Sequence, residues 1–261
     1  MDLKTVQFEL DAGLALVRMS RPKARNALSR EMGLELQEVF GRCAGDGVRA
    51  VVLTGEGGAF CAGGDLKEIG GRIEAGERME EFLGPDYQCA IKALYDLPKP
   101  SIAAVNGFAV GGGFDLALAC DIRLAAESAR FGQVYAQVGL VPDCGGTFLL
   151  PRAVGLAKAL ELILTGEILD ARQALEIGLV RSLHPDDQLM EEALALGRRL
   201  AEGATLALSA AKSLAKRACT LDIDTALAAE ASAQRETSRS ADFAEGLAAF
   251  REKRAPRFEG R

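Results

Sequence analysis

The chain has 261 residues, of which 49% are hydrophobic and 26% charged, a balance that excludes a disordered polymer and suits one large domain or two small ones. Its 31 basic and 37 acidic side chains leave a formal charge of −6, which argues against a dedicated nucleic-acid surface while allowing a local basic pocket. The 29 glycines follow no triplet period, so they are expected in tight turns and close backbone approaches rather than in a fibre.

In chain order, MDLKTVQFEL carries no apolar signal region. Val6, Phe8 and Leu10, then Asp11-Ala12-Gly13, then Ala15, Val17 and Met19 predict an opening hairpin. A basic loop, Arg21 to Asn26, precedes a helix that Ser29 can cap and that runs to about Arg42. Gly45-Asp46-Gly47 breaks the chain before an apolar strand, Val48 to Thr54. Gly55 to Gly64 reads as a glycine-rich loop, and Asp65 to about Arg78 as a charged, mobile segment. A helix from Tyr87 to Tyr95 is closed by Pro98 and Pro100. Ser101 to Cys120 is the most apolar stretch, but Asn106, a glycine run and Asp115 break it, so it reads as buried core and not as a membrane span. Within it lie a strand, Ser101 to Val105, a turn at Asn106-Gly107 and a helix opened by Gly111-Gly112-Gly113. Another strand follows at Ile122 to Ala125.

Strand, glycine loop and helix thus occur twice in order, an α/β signal. From Leu156 onward alternating strands disappear and helices dominate: Leu156–Leu164, Asp170–Ile177, Asp187–Leu200, Leu206–Arg217 and Ile223–Ser238. The internal boundary falls between about 155 and 200, with a one-sided helical layer after it. The single histidine, His184, reads as part of a surface turn, and the six cysteines, with no CxxC pair, are expected as reduced thiols of a cytoplasmic protein.

Two runs can carry chemistry: Phe60-Cys61-Ala62-Gly63-Gly64-Asp65, and Val105 to Asp115 with its three successive glycines. If adjacent, they can aim two unobstructed backbone N–H groups at one carbonyl oxygen, stabilising charge there by several kcal/mol. By pattern alone, glycine packing without catalysis and phosphate binding stay open. A P-loop and a dinucleotide fingerprint are both missing.

Arg25-Asn26-Ala27-Leu28, Phe60 to Leu66, Ser101 to Asp121 and Phe250-Arg251-Glu252-Lys253-Arg254, in that order, resemble the enoyl-CoA hydratase/isomerase (crotonase) superfamily over essentially the whole chain. The resemblance implies an α/β spiral of repeated ββα units over residues 1–195 and a helical trimerisation region over 196–261 that also covers the active site. It implies homotrimers, often paired as hexamers. It further implies acyl-coenzyme A thioesters as substrates, with no tightly bound cofactor, no metal, and neither nucleic acid nor membrane as partner. Ala62 and Gly112 match the oxyanion-hole positions. Arg25, Ala27, Leu66, Lys67, Tyr135, Phe250 and Lys253 match substrate-binding positions; the Arg21-to-Arg25 cluster and the loop near Leu66 and Lys67 resemble regions that contact the coenzyme A nucleotide, and Phe250 and Lys253 resemble residues that approach a neighbouring subunit's site.

The acid/base positions decide the reaction. Of the two glutamate positions of hydratases resembling this chain, the first falls on Asp115 and the second on Tyr135, a poor base at neutral pH and more suited to a wall, a donor or an acid. Asp143, in Leu140-Val141-Pro142-Asp143, resembles the carboxylate of ring 1,2-epoxyphenylacetyl-CoA isomerases and of related enoyl- and dienoyl-CoA isomerases. The resemblance therefore favours a double-bond isomerase with Asp143 as proton shuttle and Asp115 as support or second acid/base group, in fatty-acid or aromatic metabolism. Hydration by Asp115 and Asp143 is the alternative. Thioester hydrolysis, ring opening and noncatalytic acyl-CoA binding stand behind it.

Overall fold

The computed structural model describes residues 3–261; Met1 and Asp2, which open the amino-terminal stretch and the first domain range read above, lie outside the described residues. β1 (Val6–Asp11) and β2 (Leu14–Met19) pair antiparallel across Ala12-Gly13, where φ is 47° and 83°. Positive φ at both turn positions matches the twist of a two-residue hairpin. Ser29 Oγ accepts from the Met32 N–H at 3.2 Å and starts α1 (Arg30–Cys43).

The chain then repeats one unit: a strand in a main sheet, a short strand in a second sheet, then helix. The first turn is β3 (Ala50–Gly55), β4 (Ala59–Cys61) and α2 (Leu66–Glu74), returning through α3 (Met79–Leu83), a π-helical turn at Gly84–Gln88 and α4 (Cys89–Asp96). The second is β5 (Ser101–Val105), β6 (Phe108–Val110) and α5 (Gly112–Ala119). The third is β7 (Ile122–Ala126), β8 (Arg130–Gly132), a 3-10 turn at Val134–Val138, α6 (Gly146–Val154) and α7 (Leu156–Thr165). β9 (Ile168–Asp170), α8 (Ala171–Glu176), β10 (Ser182–His184) and α9 (Leu189–Ala201) complete the layers. α10 (Thr205–Ala218), α11 (Ile223–Thr237) and α12 (Ala241–Glu252) follow. The main sheet has the order β1-β2-β3-β5-β7-β10, parallel after the hairpin, and the second has β4-β6-β8-β9, with β9 antiparallel. Each turn advances one strand in both sheets, which makes the chain a spiral.

Period-two alternation sorts the main sheet's side chains into two cores. Ala15, Val17, Val51, Leu53, Ala103 and Val105 face the larger one, with Leu36, Leu94 and Phe114. Leu14, Leu16, Ala50, Val52, Ile102 and Ala104 face Leu189, Ala193 and Leu196 of α9. Strands buried on both faces read as continuous apolar runs, which is why Ser101–Val105 was legible as a strand. Each fully buried Val or Leu contributes roughly 1.5–3 kcal/mol.

Several expectations need correction. The glycine-rich loop from Gly55 to Gly64 contains β4, and the charged segment after it folds as α2 with Asp65 as its N-cap. Strands do not end at Leu156: β9 and β10 extend the two sheets, and His184 lies in β10 rather than in a turn. Residue 195 falls inside α9. Among the described residues the six cysteines are unpaired, and no helix is long and apolar enough to cross a membrane.

Candidate active site

β4 and β6 are parallel neighbours, with Ala59 opposite Phe108 and Cys61 opposite Ala109, so the two glycine loops leave one edge side by side. Asn26 pins the first from behind. Its Nδ2 donates to Glu56 O and Ala59 O at 2.9 and 2.8 Å, and its Oδ1 accepts from the Arg21 N–H at 2.8 Å. The loop runs along residues 25–28: Leu28 N–H donates to Gly63 O at 2.7 Å, and Asp65 N–H to Leu28 O at 2.8 Å. A Cβ built on Gly63, whose φ is +86°, would lie 2.9 Å from Val110 O and 3.5 Å from Gly112 N, which measures how closely the loops approach.

The first expected donor is engaged elsewhere. Ala62 N–H donates to Arg25 O at 3.0 Å, one of the backbone bonds that tie the loop to residues 25–28. Gly64 N–H has no acceptor among the described residues, and neither has Gly112 N–H at the first turn of α5. Both glycines line the same cleft. The pair able to receive an oxyanion is therefore Gly64 and Gly112, with Ala62 holding the loop.

That cleft has a cavity volume of about 130 Å³ and is walled mainly by Leu28, Leu66, Ile69, Met79, Leu83, Val134, Val138 and Leu140. Tyr87, Tyr135, Gln137 and Asp143 supply its polar side chains, so Asp143 is the one carboxylate among the described residues in the wall. The Asp143 backbone oxygen accepts from Gln88 Nε2 at 2.6 Å, which fixes the loop against the π-helical turn.

Asp115 is completely buried and lies behind this wall. Its Oδ1 accepts from Gln133 Nε2 at 2.6 Å and its Oδ2 from the Tyr135 hydroxyl at 2.8 Å. Burial pushes the carboxyl up to about 7; the Gln133 and Tyr135 hydrogen bonds oppose the rise and the Asp143 charge adds to it. Burial, then the Asp115 charge, pushes the Tyr135 phenol well above its usual range, and burial with the Asp143 charge does the same to the Cys144 thiol. Neither is a nucleophile or base at neutral pH. Tyr135 faces the cleft on one side and Asp115 on the other, so its hydroxyl links the two.

The remaining residues picked from sequence scatter. Leu66 lines the cleft, whereas Lys67 is exposed on α2 outside it. Arg25 has φ 50° and an exposed guanidinium 5.8 Å from the Phe108 ring centroid; Ala27 is buried, and its carbonyl accepts from Arg21 Nη1 at 2.5 Å. Phe250 and Lys253, at the end of α12, are exposed and do not line the cleft of their own chain. Sequence reading missed Gly64, whose neighbour Leu28 is 36 residues earlier and joined only by a parallel bridge, and Gln133, which has no local signature.

A family model described as enoyl-CoA hydratase/isomerase matches residues 9–261. A 1,2-epoxyphenylacetyl-CoA isomerase of Escherichia coli is 40% identical over 265 residues, covering 99% of this chain and 100% of its own. A short-chain-enoyl-CoA hydratase of Clostridium acetobutylicum is also 40% identical, over 256 residues and 97% of each chain. An enoyl-CoA hydratase crystal structure from Bacillus anthracis superposes with a TM-score of 0.92 at 35% identity, over 99% of this chain and 100% of that one.

Proposed function

Because the chain belongs to the enoyl-CoA hydratase/isomerase family, we propose that it moves a carbon–carbon double bond within an enoyl-CoA or ring-containing acyl-CoA, with Asp143 as the proton shuttle. Coenzyme A enters as part of the substrate, its nucleotide end toward exposed Arg25 and Lys67. The thioester oxygen takes the Gly64 and Gly112 N–H groups, which bind it most strongly as the enolate, where charge accumulates. Asp143 removes a proton from the carbon that this polarisation acidifies. The dienolate forms, and the same carboxyl returns the proton to a carbon two bonds further along the conjugated system.

The observation that carries this reading is the carboxylate count at the cleft. Hydration commonly uses two carboxylates to hold and activate a water, and here Asp143 stands in the wall alone among the described residues while a phenol occupies the second place. One carboxylate suffices for a proton taken and returned.

The test is product-resolved mass spectrometry and NMR of matched 2-enoyl- and 3-enoyl-CoA substrates in D2O, including a ring-bearing pair. Interconversion without gain of water is expected. Asp143→Asn should lose at least about 100-fold in kcat/KM, the usual contribution of a positioned acid/base group. A stable 3-hydroxyacyl product, or a near-normal Asn variant, overturns the reading.

A further inference from the structure

The buried group behind the wall has no part in that reaction, yet the chain makes specific room for it. A Cβ at Gly146 would lie 2.4 Å from Asp115 Oδ1 and 2.7 Å from Gln133 Nε2, so only glycine admits the carboxyl and its amide partner. The titratable groups around Asp115 are Tyr135 from the 3-10 turn, and Asp143 and Cys144 from the loop before α6. No basic side chain forms an ion pair with it among the described residues. Three neutral donors meet it instead, the Gln133 amide, the Tyr135 hydroxyl and the Cys144 backbone N–H. A proton on Asp115 removes a buried charge that no basic side chain balances.

The position of that proton follows from the hydrogen bonds. Gln133 Nε2 donates to Oδ1 and the Cys144 backbone N–H also donates to the carboxyl, while Oδ2 lies 2.8 Å from the Tyr135 oxygen, the acceptor that a proton there would meet. When Oδ2 is a carboxylate oxygen, it accepts the phenol hydrogen. When it carries a proton, it donates to the phenol oxygen, and the Tyr135 O–H is released to rotate. The hydroxyl lies 3.7 Å from where a Cβ on Gly112 would be, beside the oxyanion donors, and Tyr135 lines the cleft.

We propose that Tyr135 donates a hydrogen bond to the bound acyl-CoA and that Asp115 is the positioning residue that sets the direction of its O–H, the neutral acid turning the hydrogen into the cleft and the carboxylate turning it away. This rests on the acyl-CoA reading above. No heavy atom moves; one O–H torsion changes. Since the Asp115 carboxyl is pushed up to about 7, the change of direction falls near neutral pH.

The experiment compares kcat and KM against pH for the full-length wild type, Asp115→Asn and Tyr135→Phe on one enoyl-CoA pair. Gln133 Nε2 holds the carbonyl of an introduced asparagine, so its NH2 faces Tyr135 and mimics the neutral acid. Wild-type kcat is expected to fall as pH rises through about 7, toward the level of Tyr135→Phe, about 100-fold lower, and Asp115→Asn to lack that limb. Tyr135→Phe should lose about 100-fold in kcat at the acid side, more than any change in KM, as for a lost oxyanion donor. An infrared carboxylic-acid band present at mildly acidic pH in wild type should be missing from Asp115→Asn. The proposal is overturned if the alkaline limb survives in Asp115→Asn, if Tyr135→Phe keeps wild-type kcat, or if the wild type shows no such band, the last holding even where a variant fails to fold. A wild type inactive on every enoyl-CoA overturns the functional reading itself, and is seen before any variant is compared.

Discussion

A carboxyl group buried among a phenol, an amide and a thiol loses the bulk solvation of its charge, and stability must register that. Burial pushes the Asp115 carboxyl up to about 7 in the folded chain, from the ordinary value of about 3.9 in an unfolded one. Between those values the unfolded state has released its proton while the native state still holds it. This group's contribution to stability is therefore fully present below about pH 4 and is lost as pH rises through about 7, at up to about 1.4 kcal/mol per unit. Asp115→Asn carries no such proton. Urea unfolding of both proteins at a series of pH values should show the variant gaining on wild type from about pH 4 to about 7, with a plateau above. A difference that does not vary with pH would remove the raised carboxyl. Gly146→Ala probes the same pocket from the other side, where the new methyl meets Asp115 Oδ1 at 2.4 Å. Such overpacking costs about 1–3 kcal/mol. The melting temperature should fall by several degrees and kcat should fall more than KM changes; an unaltered melt contradicts the packing described.

At the scale of elements, α2 is the piece that ties loop to cleft. Asp65 Oδ1 accepts from the Lys67 and Glu68 N–H groups at 3.2 and 3.3 Å, and Oδ2 accepts from Arg21 Nη2 at 2.8 Å. Burial pushes this carboxyl up, but the Arg21 hydrogen bond and the helix donors outweigh it and hold it below the usual range. Asp65→Ala removes a cap worth about 1 kcal/mol and frees the Gly63-Gly64 loop. We expect a loss of about tenfold in kcat/KM for the isomerisation, with a lower Tm; wild-type kcat/KM would show that the loop holds without its cap. The same element shows where sequence is legible. Leu66, Ile69 and Ile73 stand at i, i+3 and i+7, a helical stripe, but Gly70-Gly71 and the surrounding charge dilute it until it reads as a mobile segment. The hairpin, the Ser29 cap and the Ser101–Val105 strand were readable because alternation, a capping hydroxyl and a continuous apolar run are local. β4, β6, β8, β9 and β10 have three residues each, too few for a period-two signal, and exist by pairing with distant neighbours. The site divides likewise. Asp143 and Gly112 lie on motifs, whereas the engagement of Ala62 by Arg25 and the retreat of Asp115 behind Tyr135 depend on contacts 37 and 20 residues apart.

The whole molecule ends in helices that one copy does not bury. α11 has no buried residue, and in α12 only Asp242 and Ala249 are buried. α10 is held to the body by polar contacts, with Lys212 and Lys216 on Asp121 at 2.6 and 3.1 Å. On α7, Leu156, Leu160 and Leu164 are 64%, 46% and 73% exposed at i, i+4 and i+8, an apolar stripe on one helix face. Such contiguous faces mark association surfaces, and self-association into the trimer or hexamer implied by the family resemblance would cover them. It would also bring exposed Phe250 and Lys253, which do not line their own chain's cleft, against a neighbouring chain. Sedimentation of the wild type should give a species of threefold or sixfold the 27.6 kDa chain mass. Placing glutamates at Leu160 and Leu164 buries unpaired charge at each contact, several kcal/mol unfavourable per interface, and should shift the distribution toward the single chain while circular dichroism stays native. If the neighbour completes the site, kcat/KM should fall with the fraction dissociated and recover at higher protein concentration. Full activity in a dissociated, folded species would confine the catalytic apparatus to one chain and leave the exposed end of α12 without a part in it.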